Sequence, residues 1–203
     1  MKLLLTSEGL TTPAIKEEFL KLVGKPPSQV SVAFIPTAAI PHDDNSWIQI
    51  NKQPLTELSI KIVDEVDLKE YENASEKLYA KLKTYDVIWV NGGNTLFLLY
   101  WVKKSGLDHV IKKLLDEGKV YIGVSAGSML ACPTVEVATW KDIDDPTVVQ
   151  LENNNALDLV DFFIFVHYEE RWRALVEEKK HELSSCLIIL RDDQAVLENG
   201  TVI

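Results

Sequence analysis

Val120-Tyr121-Ile122-Gly123-Val124-Ser125-Ala126-Gly127-Ser128-Met129-Leu130-Ala131 is the stretch that decides the fold. An apolar run enters the first glycine and a small-residue, helix-compatible segment leaves the second, with a serine at the apex. This reads as strand, sharp turn, helix. Glycine at both flanks lets the backbone take strained dihedrals and lets neighbouring strands approach the turn. A hydroxyl held there points out beyond the sheet edge, and the Ala126 amide that opens the helix can donate to a developing oxyanion. The GxSxG pattern recurs by chance in many chains. Its position at the end of a buried strand is what makes it a sign of a serine nucleophile.

Working outward, β-type and helical segments alternate almost throughout. Apolar runs occur at Lys2–Thr6, Val30–Ile35, Ile60–Val66, Asp86–Val90, Val120–Val124, Phe162–Val166 and Leu187–Leu190. Helical patterns fall between them at Ala14–Val23, Ser75–Leu82, Thr95–Lys103, Leu107–Glu117, Ala126–Ala131 and Glu169–Leu183. Short strands that are apolar throughout, separated by amphipathic helices, predict a parallel sheet covered on both faces: an α/β three-layer sandwich. The C-terminus differs, with Ala195–Glu198, Asn199-Gly200 and Thr201–Ile203 reading as a hairpin with a type I′ turn. Trp140–Asp158 is acidic and irregular and is expected to be a surface loop bordering the site. The 203 residues, without repeat or linker, suit one domain over 1–203.

A formal net charge of −10 argues against nucleic-acid binding, which needs clustered Lys and Arg. Cys132 and Cys186 lack metal-ligand spacing and are expected to be reduced, buried packing residues. The opening Met1-Lys2-Leu3-Leu4-Leu5-Thr6 is too short an apolar run for a signal peptide, and no stretch could span a membrane. A cytoplasmic location, as monomer or homodimer, is the expectation by elimination. Neither a metal nor another cofactor is called for.

A serine hydroxyl needs an adjacent base to act as a nucleophile at neutral pH. Of four histidines, His42 follows Pro41 in a polar loop, and His109 and His181 sit on helices rich in Lys and Glu, where a solvated surface explains them. His167 differs: it ends the run Phe162-Phe163-Ile164-Phe165-Val166, at a strand's carboxyl end like Ser125. A base in turn needs an acceptor on its other nitrogen. Asp192 follows the strand Leu187–Leu190. Asp193 is chemically equivalent, and Asp142, Asp144 and Asp145 lie between Ser125 and His167, with surface solvation the plain alternative for each. Asn91-Gly92-Gly93-Asn94-Thr95 also follows a strand and opens a helix, where Gly92 and Gly93 would expose amides suited to an oxyanion or carboxylate. It is too short for a P-loop and lacks its lysine.

Together these residues resemble the peptidase E family of serine peptidases, which includes aspartyl dipeptidase and, more distantly, cyanophycinase. The resemblance runs through Leu3-Leu4-Leu5-Thr6-Ser7, Ile35-Pro36-Thr37-Ala38, Val90–Thr95, Gly123–Ser128, Cys132-Pro133-Thr134 and the His167 segment. It implies a fold like that of the flavodoxin-like class I glutamine amidotransferases, with Ser125 where they carry a cysteine. It further implies Ser125 as nucleophile, His167 as base, Gly93 and Ala126 as oxyanion donors, and Asp192 at the place of the family's late acidic residue. The implied substrate is a small peptide. The chain departs from the family in two places: Trp140 stands where an intervening acid has been proposed, leaving Asp142 as a shifted substitute. The segment after His167 is also shorter than in the aspartyl dipeptidases.

Two of the three arginines, Arg171 and Arg173, lie just past His167. A guanidinium there could hold a substrate carboxylate bidentately, Arg171 being the better placed. The alternative is a solvated helix face, with Trp172 packed inward. An α/β-hydrolase esterase would also show GxSxG, but there the acid precedes the histidine. A non-catalytic binding protein on the same scaffold is the remaining alternative.

Overall fold

The computed structural model describes residues 1–203. In chain order it runs β1 (Lys2–Thr6), α1 (Pro13–Val23), β2 (Ser31–Ile35), α2 (Trp47–Glu57), β3 (Ile62–Glu65), α3 (Ser75–Leu82), β4 (Val87–Val90), α4 (Thr95–Ser105) and α5 (Leu107–Asp116). There follow β5 (Val120–Val124), α6 (Ala126–Leu130), β6 (Phe163–Phe165), α7 (Arg173–Lys179), β7 (Leu187–Ile189) and β8 (Ala195–Leu197). The main sheet has the order β3-β2-β4-β5-β1-β8, parallel except where β8 runs antiparallel to β1.

The sheet's two faces can be read from the strands. Leu3, Leu5, Ala33, Ile35, Ile88, Val90 and Tyr121 join the larger core cluster, with the apolar sides of α3, α4, α5 and α6. Their neighbours Leu4, Val32, Phe34, Val87, Trp89, Val120 and Ile122 point the other way, onto Ile15 and Phe19 of α1 and Leu55 of α2. Chain direction across the sheet reverses after β3, and the covering helices change face with it, as right-handed crossovers demand. Ligands in such sheets bind beyond the carboxyl ends of the strands, near that reversal.

Several expectations are corrected. The runs at β6 and β7 do not extend the main sheet; they pair with each other as a separate two-stranded parallel sheet. Apolar strands report burial, and β6 is buried against the larger core without sharing the main ladder. The hairpin forms, with Leu197 and Thr201 bonded across the turn, but the turn is not type I′. That type needs positive φ at both central residues, whereas Gly200 is left-handed (φ 80°) and Asn199 is not. The Gly200 N–H donates to Leu197 O, giving a type I turn closed by a left-handed glycine.

Glu169–Leu183 is not one helix: 3₁₀ turns at Glu170–Trp172 and Lys180–Glu182 flank α7. Trp140–Asp158 is not simply a surface loop, because Trp140 and Leu157 are buried in the core. Cys132 is buried as expected, but Cys186 is exposed. Helix α2 carries no legible helical pattern in the sequence, since Pro54 interrupts it and only Asn51 and Leu55 are buried. No helix is long and apolar enough to cross a membrane.

Candidate active site

The parallel ladder of β5 with β1 is carried one residue past the strand by Ser125 N donating to Thr6 O at 3.0 Å. The chain then reverses within Ser125 itself, at φ 51° and ψ −108°. The amides of Ser128 and Met129 already donate to Ser125 O, so α6 begins at once. This close turn excludes side chains at its second glycine: a Cβ on Gly127 would lie 2.0 Å from Val90 O. Buried Tyr121 donates its hydroxyl to Gly127 O (2.7 Å), and Ser128 Oγ donates to Thr6 O (2.7 Å). The apex is therefore pinned from two strands. Such strain persists only where surroundings over-determine it.

His167 and Asp192 come from the small sheet. Leu190 N donates to Phe165 O and Tyr168 N to Leu190 O, which continues the β6–β7 ladder up to the two residues. Across the gap, His167 Nε2 stands 2.9 Å from Ser125 Oγ, and its Nδ1 stands 2.5 Å from Asp192 Oδ1. The carboxylate can hold the imidazole with Nε2 as acceptor toward the hydroxyl.

Ser7, which no sequence pattern singles out, ties the two sheets together. Its buried hydroxyl accepts from His167 N (2.8 Å) and donates to Asp192 Oδ1 (3.1 Å). His167 itself sits at φ 52°, so that hydroxyl helps to hold a disfavoured backbone. No pattern marks a serine after a strand as special. Only its landing beside two other strand ends does so.

Opposite Ser125 lies the Asn91–Thr95 loop. Gly92 approaches so closely that a Cβ there would meet Ser125 Cβ at 3.1 Å. Gly93 adopts φ 139°, and a Cβ on it would lie 2.2 Å from Ala38 O, so only glycine fits. The amides of Gly92 and Gly93 donate to no protein acceptor. Ala126 opens α6, where an amide has no partner within its helix.

Two cavities meet at the serine. The larger, about 300 Å³, is walled by Glu8, His42, Trp47, Ile50 and Asn51, and the smaller, about 130 Å³, by Met129, Asp142, Val166, Arg171 and Trp172. Gly93, Ser125, Asp144 and His167 line both. His42, expected as a surface residue, is exposed but edges the larger cavity and packs edge-on against Trp47 at 5.2 Å. Arg171 is exposed, pairs with Glu169 at 3.0 Å and rests over the Trp172 ring. Arg173 pairs with Glu170 away from the cleft, while half-buried Trp172 packs against Phe165. Asp144 Oδ2 accepts from Thr95 N at 2.7 Å, so that acid is engaged on α4. Asp142 borders the smaller cavity, and neither it nor Asp193 contacts the imidazole. No group of His, Cys, Asp or Glu is arranged to hold a metal ion.

A parallel α/β sandwich carrying a serine on a strained turn at the carboxyl edge defines a serine hydrolase class. More particularly, the model of peptidase family S51 matches residues 3–203, and the chain belongs to that family of serine peptidases. An uncharacterized peptidase of Listeria monocytogenes (Lmo0363) is 37% identical over 138 residues, 68% of this chain and 65% of the relative's own length. Peptidase E of Salmonella typhi is 30% identical over 181 residues, covering 89% of this chain and 72% of that protein. A crystal structure described as a candidate peptidase E protein from Listeria monocytogenes EGD-e superposes with a TM-score of 0.83 at 29% identity, over 100% of this chain and 97% of its own.

Proposed function

We propose that the protein hydrolyses short peptides through an acyl-enzyme on Ser125, with His167 as general base, Asp192 as its orienting acid and the Gly93 and Ala126 amides, beside Gly92, as oxyanion donors. The observation that carries this reading is the imidazole bridging Ser125 Oγ (2.9 Å) and Asp192 Oδ1 (2.5 Å). His167 Nε2 takes the hydroxyl proton as Oγ bonds to the scissile carbonyl carbon. The carbonyl oxygen gathers charge in front of the amides, and the imidazolium returns the proton to the departing amine. Water, activated by the same nitrogen, then releases the acyl group and restores the serine.

A pair of cavities of about 300 and 130 Å³ suits a small peptide straddling Ser125. Arg171 is the only guanidinium lining either cavity, and its exposed partner Glu169 can be exchanged for a substrate carboxylate, which supports selection of an N-terminal Asp residue. A single unit over 1–203 working in the cytoplasm without cofactor belongs to this reading; exposed, unpaired Cys186 fits a reducing compartment. The test is a dipeptide panel assayed with wild type, Ser125→Ala and Arg171→Ala. Ser125→Ala is expected to retain only the roughly 10³–10⁴-fold advantage over water that binding and oxyanion donors give alone. Arg171→Ala is expected to lose activity on Asp-X selectively. Undiminished turnover by Ser125→Ala would refute the reading, and equal losses on Asp-X and neutral dipeptides would remove Arg171 from it.

A further inference from the structure

Asp144 is half-buried at the wall shared by both cavities, beside the serine, and takes no part in the proton transfers above. One oxygen is fixed: Oδ2 accepts from Thr95 N at 2.7 Å. The other has no protein donor and is not sealed from solvent. Burial pushes its pKa above the ordinary carboxylate range, opposed by the hydrogen bond from Thr95 and by the proximity of His42. The titratable groups around it are Glu8, His42 and His167 in the larger cavity, and Asp142, Arg171 and His167 in the smaller. No lysine or arginine lines the larger cavity.

A carboxylate in this position opposes the chemistry of its neighbour. Negative charge developing on a carbonyl oxygen at Ser125 would face the like charge of Asp144, offset only in part by the Thr95 hydrogen bond and by His42 and Arg171 on the cavity walls. The conflict is removed if the substrate carries its own cation to that place. We propose that Asp144 seats a cationic group of the substrate, and that the group is the α-ammonium of a peptide whose first bond lies over Ser125. The proposal rests on the serine-peptidase reading. It adds a determinant: the carboxylate attracts a free amino end and penalises a blocked one. The net charge of −10 draws such a group toward the protein. A basic side chain would present the same chemistry and is distinguished in the test.

The experiment compares wild type and Asp144→Asn on neutral dipeptides with free and N-acetylated ends, and on a pair with lysine or norleucine at the first position. Asparagine retains an acceptor for Thr95 N, and circular dichroism checks the fold. Wild type is expected to favour the free end by roughly 10- to 100-fold in kcat/KM, the scale of a hydrogen bond to a charged group. Asp144→Asn is expected to lower kcat/KM on free dipeptides and to raise it on acetylated ones. A merely structural tether would lower both. If only the lysine–norleucine difference depends on Asp144, a side chain is the cation and the α-ammonium assignment is overturned. If neither difference changes, no cation is seated there. Labelling of Ser125 by a fluorophosphonate, with protection by free against acetylated dipeptide, gives the same comparison without turnover. Labelled Ser125 without such discrimination overturns only this inference, whereas failure to label, with no cleavage, overturns the peptidase mechanism beneath it.

Discussion

At the scale of single residues, the site is built on backbone that side chains avoid. Ser125 (φ 51°, ψ −108°) and His167 (φ 52°) both occupy positive φ. Such residues cost about 1–3 kcal/mol each. Ser125→Gly is therefore expected to abolish hydrolysis yet unfold at equal or higher denaturant than wild type, because relieved strain exceeds the roughly 0.5–1 kcal/mol cost of an extra glycine. Ser125→Ala keeps the strain, so a midpoint for Ser125→Gly below that of Ser125→Ala would refute the account. Ser7 is the second case. Removing its hydroxyl leaves His167 N and Asp192 Oδ1 each short of a partner. Ser7→Ala is expected to lower kcat by as much as about 10²-fold, with KM little changed and the pH profile displaced, since positioning errors act on the transition state. Ser7→Thr should restore part of the loss. An unaltered kcat and pH profile in Ser7→Ala would show that the bridge does not matter. Ser125 and His167 were legible because each closes an apolar run; Ser7 was not, because its partners are 160 and 185 positions away.

At the scale of elements, what could be read depended on how completely an element's own sequence defines it. The segments at Lys2–Thr6, Ser75–Leu82 and Val120–Val124 match prediction end to end. The strands are walled by core, and α3 carries a regular apolar stripe. Pairing is another matter, since β6 and β7 look like main-sheet strands and partner only each other. The hairpin turn failed for a similar reason: Asn199-Gly200 fits two loop lengths, and the register chosen by Ala195 and Ile203 decides between them. Joints between elements carry testable energy. Asp86, at the entry to β4, accepts from Lys25 Nζ (2.5 Å), Ser31 N (3.0 Å) and Ser31 Oγ (3.1 Å), bracing β2 against β4. Burial alone would raise its pKa, but these donors together hold it below the usual 3.8. Its contribution is then present above the unfolded value and lost as pH falls through the lower, folded one. Asp86→Asn is expected to destabilise by about 1–2 kcal/mol at neutral pH. The gap from wild type in urea titrations should close only in strong acid. A gap that is constant with pH would refute the ionic role.

At the scale of the whole molecule, the proposed chemistry is divided between two hydrogen-bonded units. Ser125, the proposed nucleophile, and the glycine loop belong to the six-stranded sheet, while His167 and Asp192, the proposed base and acid, belong to the two-stranded one. Between the units run Ser7's two hydrogen bonds, the His167–Ser125 hydrogen bond and the packing of β6 on the larger core. Units of this kind open with free energies below the global value. In rising denaturant, peptide hydrolysis is expected to disappear before far-ultraviolet circular dichroism and before exchange of the β4–β5 amides. Coincident loss of all three would show one cooperative body. The division also bears on how such a molecule can change. Because the proposed base and nucleophile come from separate frames, small sideways slips between them would alter turnover while leaving each frame's internal bonding intact. The seam between the sheets is thus where drift in sequence would retune speed without first costing the protein its shape.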